Sequence, residues 1–149
     1  MESTSRLPPR LASIVEGFRT SPKQFRVEAL LDFSKRLPPL PASYAEHRDR
    51  LQPVPECQTP FYLAAEVDEA GNVALFFDAP PESPTVRGFA GILAAGLAGT
   101  TAEEILAVPI DFYLGMGLEE VVTPLRLRGM GAILARLKSV LRSMTGAAA

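Results

Sequence analysis

The chain has 149 residues, of which 47% are hydrophobic and 21% are charged, and its formal net charge is −2. These values indicate one globular domain with a hydrophobic core and exclude an intrinsically disordered chain. With one cysteine and one histidine, the chain cannot form an internal disulfide, a Cys-x-x-Cys redox pair or a zinc site built from cysteine and histidine.

Charge is distributed unevenly along the chain. Residues 1–55 carry a net charge of +3, residues 56–120 carry −10 and residues 121–149 carry +5. Nucleic-acid-binding domains usually have a net basic surface with aromatic side chains among the lysines, whereas this chain has three lysines. We therefore predict no nucleic-acid partner and expect the charge asymmetry to orient a protein partner.

Signals for secretion or membrane insertion are not evident in the sequence. The first ten residues, MESTSRLPPR, have no apolar core of the kind found in a signal peptide. The longest apolar stretch, from Phe89 to Ala98, is too short to cross a bilayer. We expect a cytoplasmic protein with a reduced thiol and no membrane partner.

The N-terminal third predicts two helices. Residues 7–19 place their apolar side chains on one helical stripe. The second helix is predicted to start with Ser21 as N-cap, Pro22 in the first turn and Gln24 completing a capping box, and to stop at the segment LPPLP, residues 37–41. Its predicted buried face consists of Phe25, Ala29, Leu30, Phe33 and Leu37.

The middle of the chain predicts a β-hairpin. Apolar residues alternate in 60–67 and again in 73–78, and Gly71 in the intervening turn is free to take a positive φ. Cys57 lies just before the first of these strands. Residues around Gln52–Glu56 are a candidate third strand.

The C-terminal half is predicted to be helical. Ser83-Pro84 starts one helix, and Thr101 with Glu104, or Thr100 with Glu103, caps a short one. Thr123-Pro124 begins a long amphipathic helix. The apolar stripe of this helix is Leu127, Met130, Ile133, Leu134, Leu137, Val140, Leu141 and Met144.

Helices therefore precede and follow one hairpin, and the predicted class is α+β, with a small antiparallel sheet of about three strands packed against several helices. We expect a single domain over residues 1–149, with frayed ends at 1–6 and 143–149.

Most catalytic motifs can be set aside. Gly115-Met-Gly117 and Gly129-Met-Gly131 lack the strand–turn–helix context of a phosphate-binding loop, and we interpret them as helix ends or close packing. His47 lies in the polar stretch ASYAEHRDRL, which is typical of a solvated surface histidine. Adjacent carboxylates such as Glu103-Glu104 diverge on a helix and do not face one site.

Cys57 is the remaining candidate for chemistry. Free cysteines are often buried as small apolar residues, but this one lies in a polar segment between prolines, V-P-E-C-Q-T-P, where a thiol can meet another protein. The local sequence leaves both interpretations open. Reactivity requires the thiolate; the neighbouring Glu56 opposes ionisation, and no base is visible nearby in the sequence.

The order of motifs resembles the SufE family, the sulfur-accepting partners of cysteine desulfurases in iron–sulfur cluster assembly. The family segment is approximately hydrophobic-x-Gly-Cys-Gln/Thr-Ser-x-hydrophobic-Trp, and residues 54–62 of this chain are VPECQTPFY. Downstream, Asp78 and Glu82 correspond to the two acids of an Asp-Ser-Asp motif, with Pro80-Pro81 inserted between them. Arg87-Gly88 matches a basic residue followed by glycine. The family's Leu-Ser/Thr-Pro-x-Arg-x-Asn/Gln-Gly is similar to residues 122–129, VTPLRLRG.

The resemblance implies a SufE/IscU-like fold and a function in sulfur transfer. Cys57 would accept sulfur as a persulfide from a SufS-like cysteine desulfurase and deliver it to a downstream scaffold or acceptor. Arg126, in the Thr-Pro-x-Arg motif, would favour the thiolate electrostatically. Docking to the partner would involve Gln58, Asp78, Glu82 and Arg87.

In this interpretation the chain is an accessory protein rather than an enzyme. It needs no metal or stably bound cofactor, because pyridoxal phosphate belongs to the desulfurase, and it is expected to be a monomer or a weak homodimer. The sequence departs from the family pattern at Glu56 for glycine, Tyr62 for tryptophan and Arg128 for the amide. Glu56 and the inserted Pro80-Pro81 keep an alternative open. In that alternative the chain is a regulatory module that binds the desulfurase without using a thiol.

Overall fold

The computed structural model describes residues 7–57 and 59–146, and within these ranges the chain forms six α-helices and a three-stranded antiparallel sheet. The helices are α1 Pro9–Thr20, α2 Lys23–Arg36, α3 Ala42–Ala45, α4 Pro84–Leu97, α5 Ala102–Leu106 and α6 Pro124–Thr145. The strands are β1 Gln52–Pro53, β2 Tyr62–Val67 and β3 Val73–Asp78. Short 3-10 helices cover Arg48–Arg50, Phe112–Met116 and Leu118–Glu120. The α+β class predicted from the sequence is confirmed.

The sheet has the order β1-β2-β3, with Gln52 opposite Leu63 and Val67 opposite Val73. The hairpin between β2 and β3 turns at Gly71, whose φ is +89°, as predicted. The third strand exists but is only two residues long. Prolines at 53 and 55 explain this length, because proline supplies no N–H to the ladder.

Helix α4 is the centre of the core, with nine of its fourteen residues buried. It packs against α1 and α2. A Cβ on Gly88 would lie 2.4 Å from the carbonyl oxygen of Leu30, and a Cβ on Gly91 would lie 2.2 Å from that of Phe33. The backbones of α2 and α4 therefore meet directly, and only glycine fits at these two positions of α4.

This close approach explains why two predictions for α2 are wrong. The sequence pattern puts Phe25 on the buried face, but it is 47% exposed, whereas Leu30, Ser34 and Leu37 are buried. The same pattern makes Ser21 the cap of α2, but its hydroxyl donates to the carbonyl of Gly17 at the end of α1, and α2 has no side-chain cap. The buried stripe of α2 shifts because its backbone, rather than a row of large side chains, contacts α4.

Helix α6 follows its prediction more closely. Thr123 is the N-cap and accepts from the N–H of Arg126, and Pro124 begins the first turn. Most of the predicted apolar stripe is buried, although Met144 is 47% exposed. Of the residues predicted to fray, 1–6 and 147–149 lie outside the described residues, whereas 143–145 belong to the helix, which continues through Thr145. Its end is closed by Gly146, which has a φ of +72° and donates to the carbonyl of Arg142.

The other predicted features near the C-terminal half are present as well. Thr101 and Glu104 form a complete capping box at the start of α5, and Ser83-Pro84 begins α4. Of the helices in residues 7–57 and 59–146, none combines the length and the apolar character needed to span a membrane.

Candidate functional site

Cys57 lies in the loop that joins β1 to β2, which we call the cysteine loop, residues 54–61. At its base, the N–H of Val54 donates to the carbonyl of Phe61 at 2.9 Å, and both side chains are buried in the main core. The N–H of Cys57 donates to the carbonyl of Val54 at 3.1 Å, which closes a four-residue turn. The base of the loop is thus part of the folded core, and the cysteine lies at the end of the first turn beyond it.

Pro55 and Glu56 are the two central residues of this turn. Pro55 suits the second position because its φ is fixed. A type II turn requires a positive φ at the third position, but no non-glycine residue in the described ranges has one. Glu56 therefore adopts an ordinary negative φ, and the turn does not need the glycine that the family pattern has at this position.

The thiol itself is sheltered. Cys57 is 5% exposed although it belongs to a loop. It packs on α6 at Gly129, where an added Cβ would lie 3.7 Å from the Cys57 Sγ, an ordinary van der Waals distance. The second contact is polar: the Thr59 Oγ1 lies 3.6 Å from the Sγ. Cys57 is therefore buried although it belongs to a loop, and its use as a functional thiol stays a prediction.

A small pocket of about 220 Å³ opens on the outer side of the cysteine loop. Its lining includes Pro55, Cys57, Pro60 and Tyr62. The cysteine thus separates this surface depression from the packing contact with α6.

Arg126 is on α6, one turn before Gly129, and is half-buried. Residues three apart on a helix lie on the same side, so Arg126 shares the side of α6 on which the cysteine rests. Among the contacts of the described residues, its backbone N–H bonds to Thr123 and its guanidinium has neither a hydrogen bond nor an ion pair. The structure brings Arg126 to the neighbourhood of Cys57 without a direct bond to the thiol.

Asp78 lies at the same end of the sheet as the cysteine loop. It ends β3 directly opposite Tyr62, the first residue of β2. Its carboxylate pairs with Arg48 at 2.5 Å, and the Arg48 guanidinium also lies over the Tyr62 ring at 5.2 Å. Asp78, Arg48 and Tyr62 therefore form a charged and aromatic cluster next to the site.

The remaining predicted docking residues have different surroundings. Glu82 is exposed in the turn before α4. Arg87 is half-buried and donates to the carbonyls of Ala79 and Ser34, at 2.7 and 3.1 Å, which ties the end of β3 to α2. Gln58 lies outside the described residues. Docking by these residues stays a prediction, and the structure gives Arg87 a structural role besides.

Sequence reasoning does not identify three residues of this region as site residues: Thr59, Gly129 and Arg48. Thr59 could have been noticed as a hydroxyl two residues after the cysteine and directly before Pro60. The interpretation of Gly129 as a helix end or close packing is wrong, because α6 continues through this residue and an added Cβ would lie at an ordinary distance from the Cys57 Sγ. The sequence does not indicate this neighbour. Arg48 reaches Asp78 across thirty residues of sequence, and no local pattern indicates such a contact.

Comparison with known proteins gives consistent results. The family model "SufE: Fe-S metabolism associated domain" matches residues 12–141. An uncharacterized SufE-like protein of Mycobacterium tuberculosis is 48% identical over 142 residues, which are 95% of this chain and 98% of that protein. The solution structure of a hypothetical protein from Thermus thermophilus matches with a TM-score of 0.84 at 44% identity, covering 95% of this chain and 99% of that one.

A more distant relative bears a functional name. The cysteine desulfuration protein SufE of Plasmodium falciparum is 26% identical over 136 residues, which are 89% of this chain and 53% of that protein. Together with the fold and the position of Cys57, the match of the family model over most of the sequence leads to one conclusion: the chain belongs to the SufE family, whose domain is associated with iron–sulfur metabolism.

Proposed function

We propose that this protein accepts sulfur from a cysteine desulfurase on Cys57 and carries it as a persulfide for iron–sulfur cluster assembly. The observation that carries the proposal is the placement of the chain's one cysteine. Cys57 is 5% exposed, yet it belongs to a loop at the surface and faces Gly129 of α6, where an added Cβ would lie 3.7 Å from its Sγ. Membership in the SufE family supports the same conclusion.

The transfer is a thiol–disulfide type of exchange. The Cys57 thiolate attacks the outer sulfur of a persulfide held on the desulfurase's own cysteine. A new bond forms between the Cys57 sulfur and that outer sulfur, and the old sulfur–sulfur bond breaks. The desulfurase cysteine leaves as a thiolate, so that no external oxidant or reductant is needed. Pyridoxal chemistry, which releases the sulfur from free cysteine, stays with the partner.

Attack requires the cysteine loop to open, because a 5% exposed sulfur cannot reach a sulfur atom on another protein. Val54 and Phe61, at the base, are held in the core by their burial and by their mutual hydrogen bond. The approach to Gly129 lies beyond that base, and it is loose enough that an added Cβ would lie at an ordinary distance from the Sγ. We therefore place the movement in the turn that ends at Cys57, which leaves α6 while the base stays fixed.

The closed position suits the carrier after transfer. A persulfide exposed to solvent is readily reduced or oxidised, and burial against α6 limits both reactions. The chain has no second cysteine, so no neighbouring thiol can attack the persulfide and release its sulfur. A lone, sheltered thiol is the arrangement that sulfur carriage requires.

The partner would dock at the end of the sheet that holds the cysteine loop. Glu82 is exposed there, and Asp78 shares its charge with Arg48. Among the described residues, the unpaired carboxylates next to the loop are therefore Glu82 and Glu56, both exposed, and a SufS-like enzyme that presents basic groups to these two acids is the expected partner. A downstream scaffold would use the opened loop in the same way.

One observation favours a second candidate function. Glu56 is exposed directly beside Cys57, at the position where the family pattern has glycine. A chain whose thiol does not accept sulfur still has the docking surface, so it could regulate a desulfurase by binding alone.

The experiment that tests the proposal mixes the purified protein with a cysteine desulfurase and cysteine. The protein is then weighed intact, with and without reductant, beside the Cys57→Ser and Cys57→Ala variants. We expect one or more reducible sulfur atoms on the parent chain and none on either variant. Desulfurase stimulation that persists in both variants, without an adduct on the parent, favours the regulatory module. If the cognate enzyme gives no sulfur adduct and is not stimulated, both functions are contradicted.

A further inference from the structure

The hydroxyl of Thr59 is the polar group that the structure places on the reacting sulfur. Its Oγ1 lies 3.6 Å from the Cys57 Sγ, a distance at which the larger radius of sulfur still permits a hydrogen bond. No other hydrogen bond engages this hydroxyl among the contacts of the described residues. We propose that Thr59 is a catalytic residue of the SufE-family site, whose hydroxyl donates to the Cys57 thiolate and makes the sheltered thiol reactive.

A donor is needed because the sulfur is buried. An anion removed from water loses its hydration and is costly unless a protein group replaces it. Cys57 is 5% exposed, so few water molecules can solvate the thiolate in the closed loop. Gly129, on the other side of the sulfur, offers only its apolar surface.

The sequence around Thr59 fixes the hydroxyl in place. Pro60 follows it and restricts the backbone of Thr59 by disfavouring the helical region. Threonine is branched at Cβ, so its side chain has few rotamers. Cys57, two residues earlier, is held by the hydrogen bond of its N–H to Val54. Both atoms of the pair are therefore positioned before the thiol ionises.

The proton balance of the step is simple. In the neutral state either group can donate, because a hydroxyl and a thiol each carry one proton. On ionisation the thiol proton leaves to solvent through the small pocket that Cys57 and Thr59 line, and the hydroxyl keeps its own proton and turns it toward the sulfur. Hydrogen bonds to ionised groups are about twice as strong as neutral ones, so the bond favours the thiolate over the thiol.

Charged groups near the sulfur are the same in parent and variants, which allows the contribution of Thr59 to be isolated. They are Glu56 in the loop, Arg126 and Arg128 on α6, and the Arg48–Asp78 pair at the sheet end. Thr59→Val removes the hydroxyl and keeps the branched shape. Thr59→Ser keeps the hydroxyl and removes a methyl group.

The test measures the rate of Cys57 alkylation by iodoacetamide at pH 7.0 and pH 9.5, without any desulfurase. The inference deepens the proposed function, but this readout does not depend on it, so the two can fail separately. We expect Thr59→Val to slow alkylation about fivefold at pH 7.0 and less than about twofold at pH 9.5, where thiols ionise more readily. Thr59→Ser should stay within about twofold of the parent at both values.

The ratio of the two rates separates reactivity from packing. A structural role for Thr59 changes how often the loop opens and therefore alters both rates by the same factor. Equal slowing at both pH values, an unchanged Thr59→Val rate at pH 7.0, or a Thr59→Ser variant as slow as Thr59→Val would each overturn the inference. Circular dichroism of the variants establishes that each retains the fold.

Discussion

Two glycine contacts in this molecule differ in how tightly they hold their neighbours. Where α4 meets α2, an added Cβ at Gly91 would lie 2.2 Å from a backbone oxygen, a distance that no folded chain tolerates without a shift. Where α6 meets the cysteine loop, a Cβ at Gly129 would lie 3.7 Å from the Sγ, which is ordinary contact. The first contact joins two backbones, whereas the second leaves space for a methyl group.

This difference separates the part of the chain that must stay fixed from the part that must move. The contact between α4 and α2 cannot loosen without disrupting the core, because side chains on both helices are buried around it. The contact between the loop and α6 holds one thiol by van der Waals packing, and separating it exposes little apolar surface. A sulfur carrier needs a rigid core and one contact that can separate. Gly91 lies at the rigid contact, and Gly129 lies at the contact that separates.

The largest expected effect comes from adding a methyl group at the tight contact between α4 and α2. Gly91→Ala places a methyl group against the Phe33 carbonyl, and we expect it to lower the free energy of unfolding by about 3 kcal/mol. Chemical denaturation with urea measures this change. Gly17→Ala is the matched control, because Gly17 is also in a helix but a Cβ there meets nothing within 4 Å. It should raise stability by about 0.5–1 kcal/mol, and a Gly91→Ala variant as stable as this control would contradict the tight contact.

The next effect comes from filling the loose contact. Gly129→Ala should be accepted, with Cys57 still sheltered and the helix slightly more stable. Gly129→Val adds methyl groups that extend beyond the Cβ toward the sulfur, and should push the cysteine loop away from α6. We expect iodoacetamide to label Cys57 about tenfold faster in Gly129→Val than in Gly129→Ala. Equal labelling rates in the two variants would show that the loop does not rest on Gly129.

A smaller effect is expected from Arg126. Its guanidinium makes no direct bond to the thiol, so it can act only through its field across partly solvated space. Arg126→Ala should slow Cys57 labelling at pH 7.0 by about twofold to threefold at low salt, and the difference should vanish at high salt. Arg136→Ala, ten residues further along the same helix and therefore about 15 Å away along its axis, serves as the control. If Arg126→Ala labels Cys57 at the parent rate at low salt, Arg126 has no electrostatic effect on the thiol.

Much of the fold follows from local patterns. The hairpin, the capping box of Thr101 and Glu104 and the start of α6 at Thr123 were predictable because each depends on residues within a few positions of one another. The buried face of α2 was not, because hydrophobic periodicity counts side chains and this helix meets α4 through its backbone. Phe25 is apolar but points to solvent, since Gly88 and Gly91 bring the opposite side of α2 to the core.

The sequence predicts the cysteine of the site but not the residues that surround it. The scarcity of other chemistry in the sequence led to Cys57, and the order of motifs led to the SufE family. The contact with Gly129 joins residues that are 72 positions apart, and the pairing of Arg48 with Asp78 joins residues 30 apart. Contacts of this kind are determined by how the sheet and α6 pack, which no local pattern contains.

The central claim is that Cys57 is sheltered at rest and released by a local movement of the cysteine loop. The most direct measurement is the rate of Cys57 alkylation in the native protein compared with the chain unfolded in denaturant, repeated at low denaturant concentrations.

We expect the native rate to be about a hundredfold slower, which corresponds to an opening free energy of about 2.7 kcal/mol, and to be nearly independent of low denaturant because little surface is exposed. A native rate equal to that of the unfolded chain would show that the thiol is not sheltered. A rate that rises with denaturant as steeply as global unfolding would show that the loop does not open on its own.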